Sequence, residues 1–170
     1  MSENTLIFIA IGIAIIGLIY GFGLIGWVKR QPDGDPAMRE VASAIQAGAK
    51  AYLRRQYSTI AIVAAVLFII LWLALGFKIS LGFLVGAVFS GLAGYIGMMI
   101  SVQANVRVAQ AAKKGLGPAL QLAFRGGTIT GMMVVGLGLL AIAGFYGIFK
   151  DINALIGLGF LNQRHNKAGT

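Results

Sequence analysis

Few residues in this chain could do chemistry, and their spacing argues against a catalytic centre built from them. The acids are Glu3, Asp33, Asp35, Glu40 and Asp151. Metal-assisted phosphoryl chemistry needs several carboxylates in one place to hold Mg2+, and only Asp33 and Asp35 are close in sequence. Asp33-Gly34-Asp35 could touch a cation, but a turn followed by a helix N-cap accounts for it better. His165 stands in a polar tail without a Ser or Cys partner, so neither a triad nor a metal site can be argued from it. The absence of Cys excludes disulfides, zinc knuckles, iron–sulfur ligation and thiol nucleophiles. Lys113-Lys114-Gly115-Leu116-Gly117 has the look of a phosphate-binding loop, yet it lacks the residue order of a P-loop and no strand precedes it. No catalytic, cofactor-binding or metal-ligating residue is assigned from these patterns.

The elements that would have to position such residues are membrane spans. Of 170 residues, 58% are hydrophobic and 11% charged, with a mean hydropathy of +0.86. A soluble domain carries about 25% charged residues. Stretches free of Asp, Glu, Lys and Arg run over 4–28, 56–77, 79–106 and 126–149. Each is long enough to cross a hydrocarbon core of about 30 Å, which takes about 20 apolar residues. The sequence therefore predicts an all-α integral membrane protein with four transmembrane helices. The first stretch lacks a basic region before it and is too long for a cleaved signal, so it is expected to stay as an anchor.

Charge sets the expected direction. Lys29, Arg30, Arg39, Lys50, Arg54 and Arg55 lie between the first two spans, and Arg107, Lys113, Lys114 and Arg125 between the last two. Both basic loops are expected on the cytoplasmic side, with the N-terminus outside. This placement explains the net charge of +9 without nucleic-acid binding. Between spans two and three a short turn is expected at Lys78. Trp27, Tyr57, Trp72 and Tyr146 near span ends fit an interfacial aromatic belt.

Both cytoplasmic loops are expected to be helical. In the first, Asp35 can cap and Pro36 suits the first helical position, while Met38, Val41, Ile45, Tyr52 and Leu53 recur near a 3.6 period. That face is either a platform under a larger body or a membrane-surface amphipathic helix. In the second, Gly115-Leu116-Gly117-Pro118 predicts a hinge between two helical pieces. Within the spans, Gly82/Gly86, Ala87/Gly91, Ser90/Gly94, Gly127/Gly131 and Gly17/Gly21 are small-residue pairs that let helix backbones approach closely in lipid. Span two, rich in Ile, Leu, Val and Phe from Ile60 to Leu75, is expected to face lipid. The spans hold no ionisable side chain to mark an ion path, which also excludes a rotary-ATPase proteolipid.

More specific are the strings across the loops: Glu40-Val41-Ala42-Ser43-Ala44-Ile45-Gln46-Ala47-Gly48-Ala49-Lys50-Ala51-Tyr52-Leu53-Arg54-Arg55-Gln56-Tyr57, then Gly94-Tyr95-Ile96-Gly97-Met98, Ala104-Asn105-Val106-Arg107 and Ala123-Phe124-Arg125-Gly126-Gly127. In that order they resemble the N-terminal part of membrane-bound, ion-translocating pyrophosphatases, over residues 1–160. The resemblance implies a homodimeric, multi-helix pump that hydrolyses magnesium pyrophosphate on the cytoplasmic side and moves protons or sodium outward. It implies that these four helices belong to an outer ring. It also implies Mg2+ for the complete protein, with K+ dependence left open. The family's acidic substrate cradle and gate carboxylate belong to later helices, so no site residue carries over to this sequence.

Asp151 to Phe160 resembles the approach to a fifth helix, whereas Leu161 to Thr170 is a polar, basic tail that cannot span. The expectation is an N-terminal segment (1–160) with a divergent tail (161–170), inactive alone, in a prokaryotic plasma membrane. Its partners would be the lipid bilayer and the remaining helices of the pump or a partner membrane protein, with no nucleic acid. The alternatives are a self-standing four-helix membrane protein that binds a partner, and a small channel or carrier formed by oligomerisation.

Overall fold

Apolar runs of this length satisfy their backbone polar groups internally, and helices are the simplest way to do so in lipid. The computed structural model describes residues 2–149. Asp151, the approach to a fifth helix, His165 and the 161–170 tail lie outside the described residues. Four helices follow one another: α1 (Glu3–Lys29), α2 (Pro36–Leu75), α3 (Phe77–Ala112) and α4 (Leu116–Phe149). All four are long and apolar enough to cross a membrane, as the composition predicts. Their exposed surface agrees, with Phe8, Leu73 and Ile148 all largely uncovered, a pattern that water does not tolerate over a whole surface.

Local chemistry sets the helix ends. Ser2 caps α1 by accepting from the Thr5 amide. Asp35 caps α2 by accepting from the Met38 amide at 2.9 Å, with Pro36 in the first turn. Between α2 and α3 there is one residue, Gly76, whose φ of +92° belongs to the left-handed region. The turn is therefore at Gly76. Lys78, where the sequence suggested it, lies in the first turn of α3. The expected hinge at 115–118 is also narrower than predicted. The chain breaks at Lys113–Gly115, where Gly115 has φ +122°. Leu116, Gly117 and Pro118 form the first turn of α4, a position where proline costs no hydrogen bond.

Across the fold the order is α2, α3, α4, α1. α3 packs along α4 and α4 along α1, α1 touches α3 lightly, and among the described helices α2 touches only α3. The result is an open, curved layer and not a closed bundle. The basic loops gather at one end, hereafter the basic end. The core is near that end, where Leu24 and Val28 of α1 meet Ile100 and Ala104 of α3 and Leu122, Ile129 and Met133 of α4. Buried positions of α4 step by three and four residues through Ala119, Leu122, Gly126, Ile129, Met133 and Gly136, the spacing of one helix face.

Small residues do bring the helices together, though not always the expected ones. A Cβ at Gly136 would lie 2.8 Å from the Leu18 side chain and 3.3 Å from the Ala14 carbonyl oxygen, and one at Gly97 would lie 2.9 Å from Thr130. Gly21 is closed by Met133 and Met132, as the Gly17/Gly21 pair predicts. Gly127 and Gly131, by contrast, have nothing within 4 Å. They face away from the described helices. In α2, Tyr57 donates a hydrogen bond to the Gly91 carbonyl at 2.5 Å and meets Tyr95 edge-on at 6.0 Å. Tyr57 thus ties α2 to α3 and is only half-exposed, which departs from a simple belt position.

The apolar stretch of α2 is open, as its composition suggests. In its basic-end half, α2 buries Leu53 of the predicted apolar face together with small residues beside that face, and leaves much of the face open. The residues buried there are Ala42, Ala49 and Leu53, whereas Val41, Ile45 and Tyr52 are exposed. Small side chains win the contact with α3 because they allow close backbone approach, and the larger apolar stripe is left beside the interface.

Candidate functional site

The charged groups that could act on a substrate converge at the basic end, and several are already engaged. Asp33 faces Arg39 at 3.9 Å and Asp35 accepts from Lys113 Nζ at 2.9 Å. The Lys113 hydrogen bond, followed by the Met38 amide, holds the Asp35 carboxyl below the ordinary aspartate range. Asp33-Gly34-Asp35 is therefore a turn and helix cap, with both carboxylates facing cations. Lys113 of the basic Lys113-Lys114-Gly115 run serves that same link, joining the ends of α2 and α3.

Arg107 does a comparable job for α1. Its Nε donates to the Gln31 carbonyl at 3.2 Å, Nη1 to the Gln103 carbonyl at 2.7 Å and Nη2 to the Lys29 carbonyl at 3.3 Å. A guanidinium here satisfies carbonyls left open at the C-terminal end of α1, where the helix dipole also favours a cation. Arg125 of α4 stacks over Trp27, 3.9 Å from the ring centroid, a cation–π contact. Sequence reading placed these arginines in loops by charge alone. Nothing in their spacing shows which carbonyl or ring each one meets.

Two sizeable hollows are mainly apolar. One of about 410 Å³ runs between α2 and α3, lined by Met38, Val41 and Ile45 against Val102 and Val106. Another of about 390 Å³ lies between α3 and α4, lined by Gly86, Ser90 and Gly94 against Val134 and Gly138. Neither contains an acid, a base or a nucleophile beyond Ser90. Among the described residues no group of three or more His, Cys, Asp or Glu could hold a metal ion.

The comparisons with known proteins identify the chain. A family profile described as inorganic H+ pyrophosphatase matches residues 15–165. The chain belongs to the inorganic H+ pyrophosphatase family. It is 44% identical over 159 residues to a K(+)-insensitive pyrophosphate-energized proton pump of Methanosarcina mazei, covering 92% of this chain and 24% of that relative. It is similar to proteins of the same description from Chloroflexus aurantiacus, 37% identical over 93% of the chain, and Pyrobaculum aerophilum, 38% identical over 94%. Each of those alignments covers 24% of the relative. The chain thus spans about a quarter of the length of the curated relatives it matches. The sequence resemblance to membrane pyrophosphatases is upheld.

The sequence resemblance implies Mg2+ for the complete protein, and the described residues offer no set of ligands that fits it. Asp35 spends one carboxylate oxygen on the Met38 amide and the other on Lys113. Asp33 faces Arg39, and no third carboxylate joins them. Magnesium needs several oxygen ligands in octahedral array, so no step of hydrolysis is derived from this part of a pyrophosphatase.

Proposed function

We propose that this chain supplies the N-terminal, outer-ring membrane helices of a pyrophosphate-driven proton pump and contributes scaffold, not catalysis. The observation that carries the reading is the 44% identity over 159 residues to a relative described as such a pump. The chemistry of the described residues supports the division of labour. Arg107, Arg125 and Lys113 tie neighbouring helices together, and both oxygens of Asp35 are taken up by the Met38 amide and Lys113.

In this proposal the complete pump is a homodimer that takes Mg2+ and pyrophosphate on the cytoplasmic side. It moves protons and works without K+, in line with the relatives' descriptions. The basic loops face the cytoplasm by the distribution of Lys and Arg, and the relatives' organisms favour a prokaryotic plasma membrane. Further helices cover the open grooves beside α3, whose small and apolar lining suits helix packing in lipid.

A chimera tests this reading. Replacing the matching first quarter of the Methanosarcina mazei relative with this chain is expected to preserve pyrophosphate-driven proton uptake in membrane vesicles. A chimera that inserts and dimerises like the parent but does not hydrolyse pyrophosphate contradicts it.

A further inference from the structure

A small polar pocket at the basic end has no role assigned above, although Arg107 and Trp27 in its wall also make the helix-joining contacts already described. It lies where the end of α1, the last turns of α3 and the first turns of α4 meet. Trp27, Gln31, Arg107, Gln110, Lys114 and Gln121 supply its wall. Its volume is about 110 Å³. That admits a phosphate group but excludes a drug-sized ligand, which takes about 300 Å³ or more.

Three features give the pocket a chemical preference. The first is positive charge without a carboxylate in the lining: Lys114 and Arg107 are both present, while the nearby acids Asp33 and Asp35 face Arg39 and Lys113. Arg107 is held by three backbone carbonyls. A guanidinium has five N–H donors, so two stay available in a fixed orientation. The second feature is an orphan acceptor. Gln110 Oε1 is buried and accepts no hydrogen bond from the described residues, a state that costs free energy until a donor arrives. The third is depth. Trp27 ends the apolar run of α1 and is covered on one face by Arg125, the arrangement of an interfacial anchor.

We propose that this pocket binds the headgroup of an anionic phospholipid bearing a hydroxyl, of which phosphatidylglycerol is the simplest. Arg107 and Lys114 take the phosphate, and a turn of the Gln110 side chain brings its buried Oε1 to accept from a glycerol hydroxyl. Basic pockets between transmembrane helices are suited to such headgroups. The pocket opens where a lipid phosphate must lie if Trp27 sits at the interface, which favours a lipid over a soluble phosphate of the same chemistry.

Trp27 itself reports occupancy. In the full chain carrying Trp72→Phe, it becomes the single tryptophan, since the sequence has two. The chain is reconstituted in phosphatidylcholine vesicles containing either phosphatidylglycerol or phosphatidylcholine brominated near the headgroup. Brominated phosphatidylglycerol is expected to quench Trp27 at about fivefold lower mole fraction, the worth of about one well-placed cation near a surface. Lys114→Gln, at an exposed position, should abolish the preference, whereas Lys50→Gln in the other basic loop should keep it.

Equal quenching by the two lipids in the Trp72→Phe chain overturns the proposal and does not depend on any pocket variant folding. Equal loss in Lys114→Gln and Lys50→Gln overturns it in favour of diffuse surface attraction. Abolition of the preference by inorganic phosphate at constant ionic strength overturns the lipid assignment in favour of a soluble anion. Persistence of the preference in phosphate supports it.

Discussion

At the scale of single residues, the fold depends on where a side chain is forbidden. Gly136 admits no Cβ without displacing Leu18 or pressing on the Ala14 carbonyl. Gly136→Ala is therefore expected to destabilise the chain by about 1–3 kcal/mol, the usual cost of overpacking, as measured by denaturant titration in mixed micelles. Gly127→Ala, with open space around the new methyl, should be neutral by the same measurement. The sequence shows glycines in abundance but does not say which are pressed. Gly127/Gly131 has the same spacing as Gly17/Gly21, yet only the second pair meets a neighbour, because spacing defines a face and not what lies opposite it.

The Asp35–Lys113 link belongs to this scale too. Asp35 has its folded pKa depressed by Lys113 and by the Met38 amide. Its contribution is therefore present above the unfolded-state value and is lost as pH falls through the folded one. Acidification should loosen the first turn of α2, seen as faster exchange of the Met38 amide after correction for intrinsic rates. Asp35→Asn keeps the cap, since asparagine caps as well as aspartate, but should remove that acid-dependent loosening.

At the scale of elements, the decisive one is α2. Forty residues at 1.5 Å each give a rod of about 60 Å, twice the hydrocarbon thickness of about 30 Å. Its basic-end half must stand in water or against protein, while the half from Ile60 onward sits in lipid. Native Cys is absent, so single cysteines report this cleanly. Ser43→Cys is expected to react with a membrane-impermeant maleimide only from the side of the basic loops, and Ser2→Cys only from the opposite side. Tyr57→Phe removes the hydrogen bond to the Gly91 carbonyl and should cost about 1 kcal/mol, weakening the attachment of α2 to α3.

Helix number, type and approximate extent were readable in the sequence because an uncharged run of span length has few alternatives. The cap at Asp35-Pro36 was readable because its chemistry is local. The neighbour order was not. In α1 and α3 apolar residues surround the whole helix, so hydropathy has no period to reveal the buried face. That face is drawn instead by size, through Ala14 and Gly21 in α1 and Ala93, Gly97 and Ala104 in α3. In the first basic loop the apolar stripe at Val41, Ile45 and Tyr52 is left open, and the contact with α3 at Ala42 and Ala49 was not legible because small residues carry little hydropathy signal.

At the scale of the whole molecule, the open layer and the engaged charges make one argument. Among the described helices α2 rests on α3 alone, grooves of about 410 and 390 Å³ stay open beside α3, and the alignment reaches only 24% of a relative's length. The candidate site was legible in one respect: Asp33-Gly34-Asp35 reads as a turn and a helix N-cap, and the structure places Gly34 at positive φ and Asp35 on the Met38 amide. The roles of Arg107 and Arg125 at helix ends were not legible, since they join residues far apart in sequence. The central claim is that these helices are scaffold in a pyrophosphatase whose chemistry resides elsewhere. Its most direct test is Mg2+-dependent pyrophosphate hydrolysis in membranes containing this chain alone, beside membranes in which the remaining length of the Methanosarcina mazei relative is fused to it. The account predicts no hydrolysis above background from the chain alone and hydrolysis from the fusion; hydrolysis by the chain alone would contradict it.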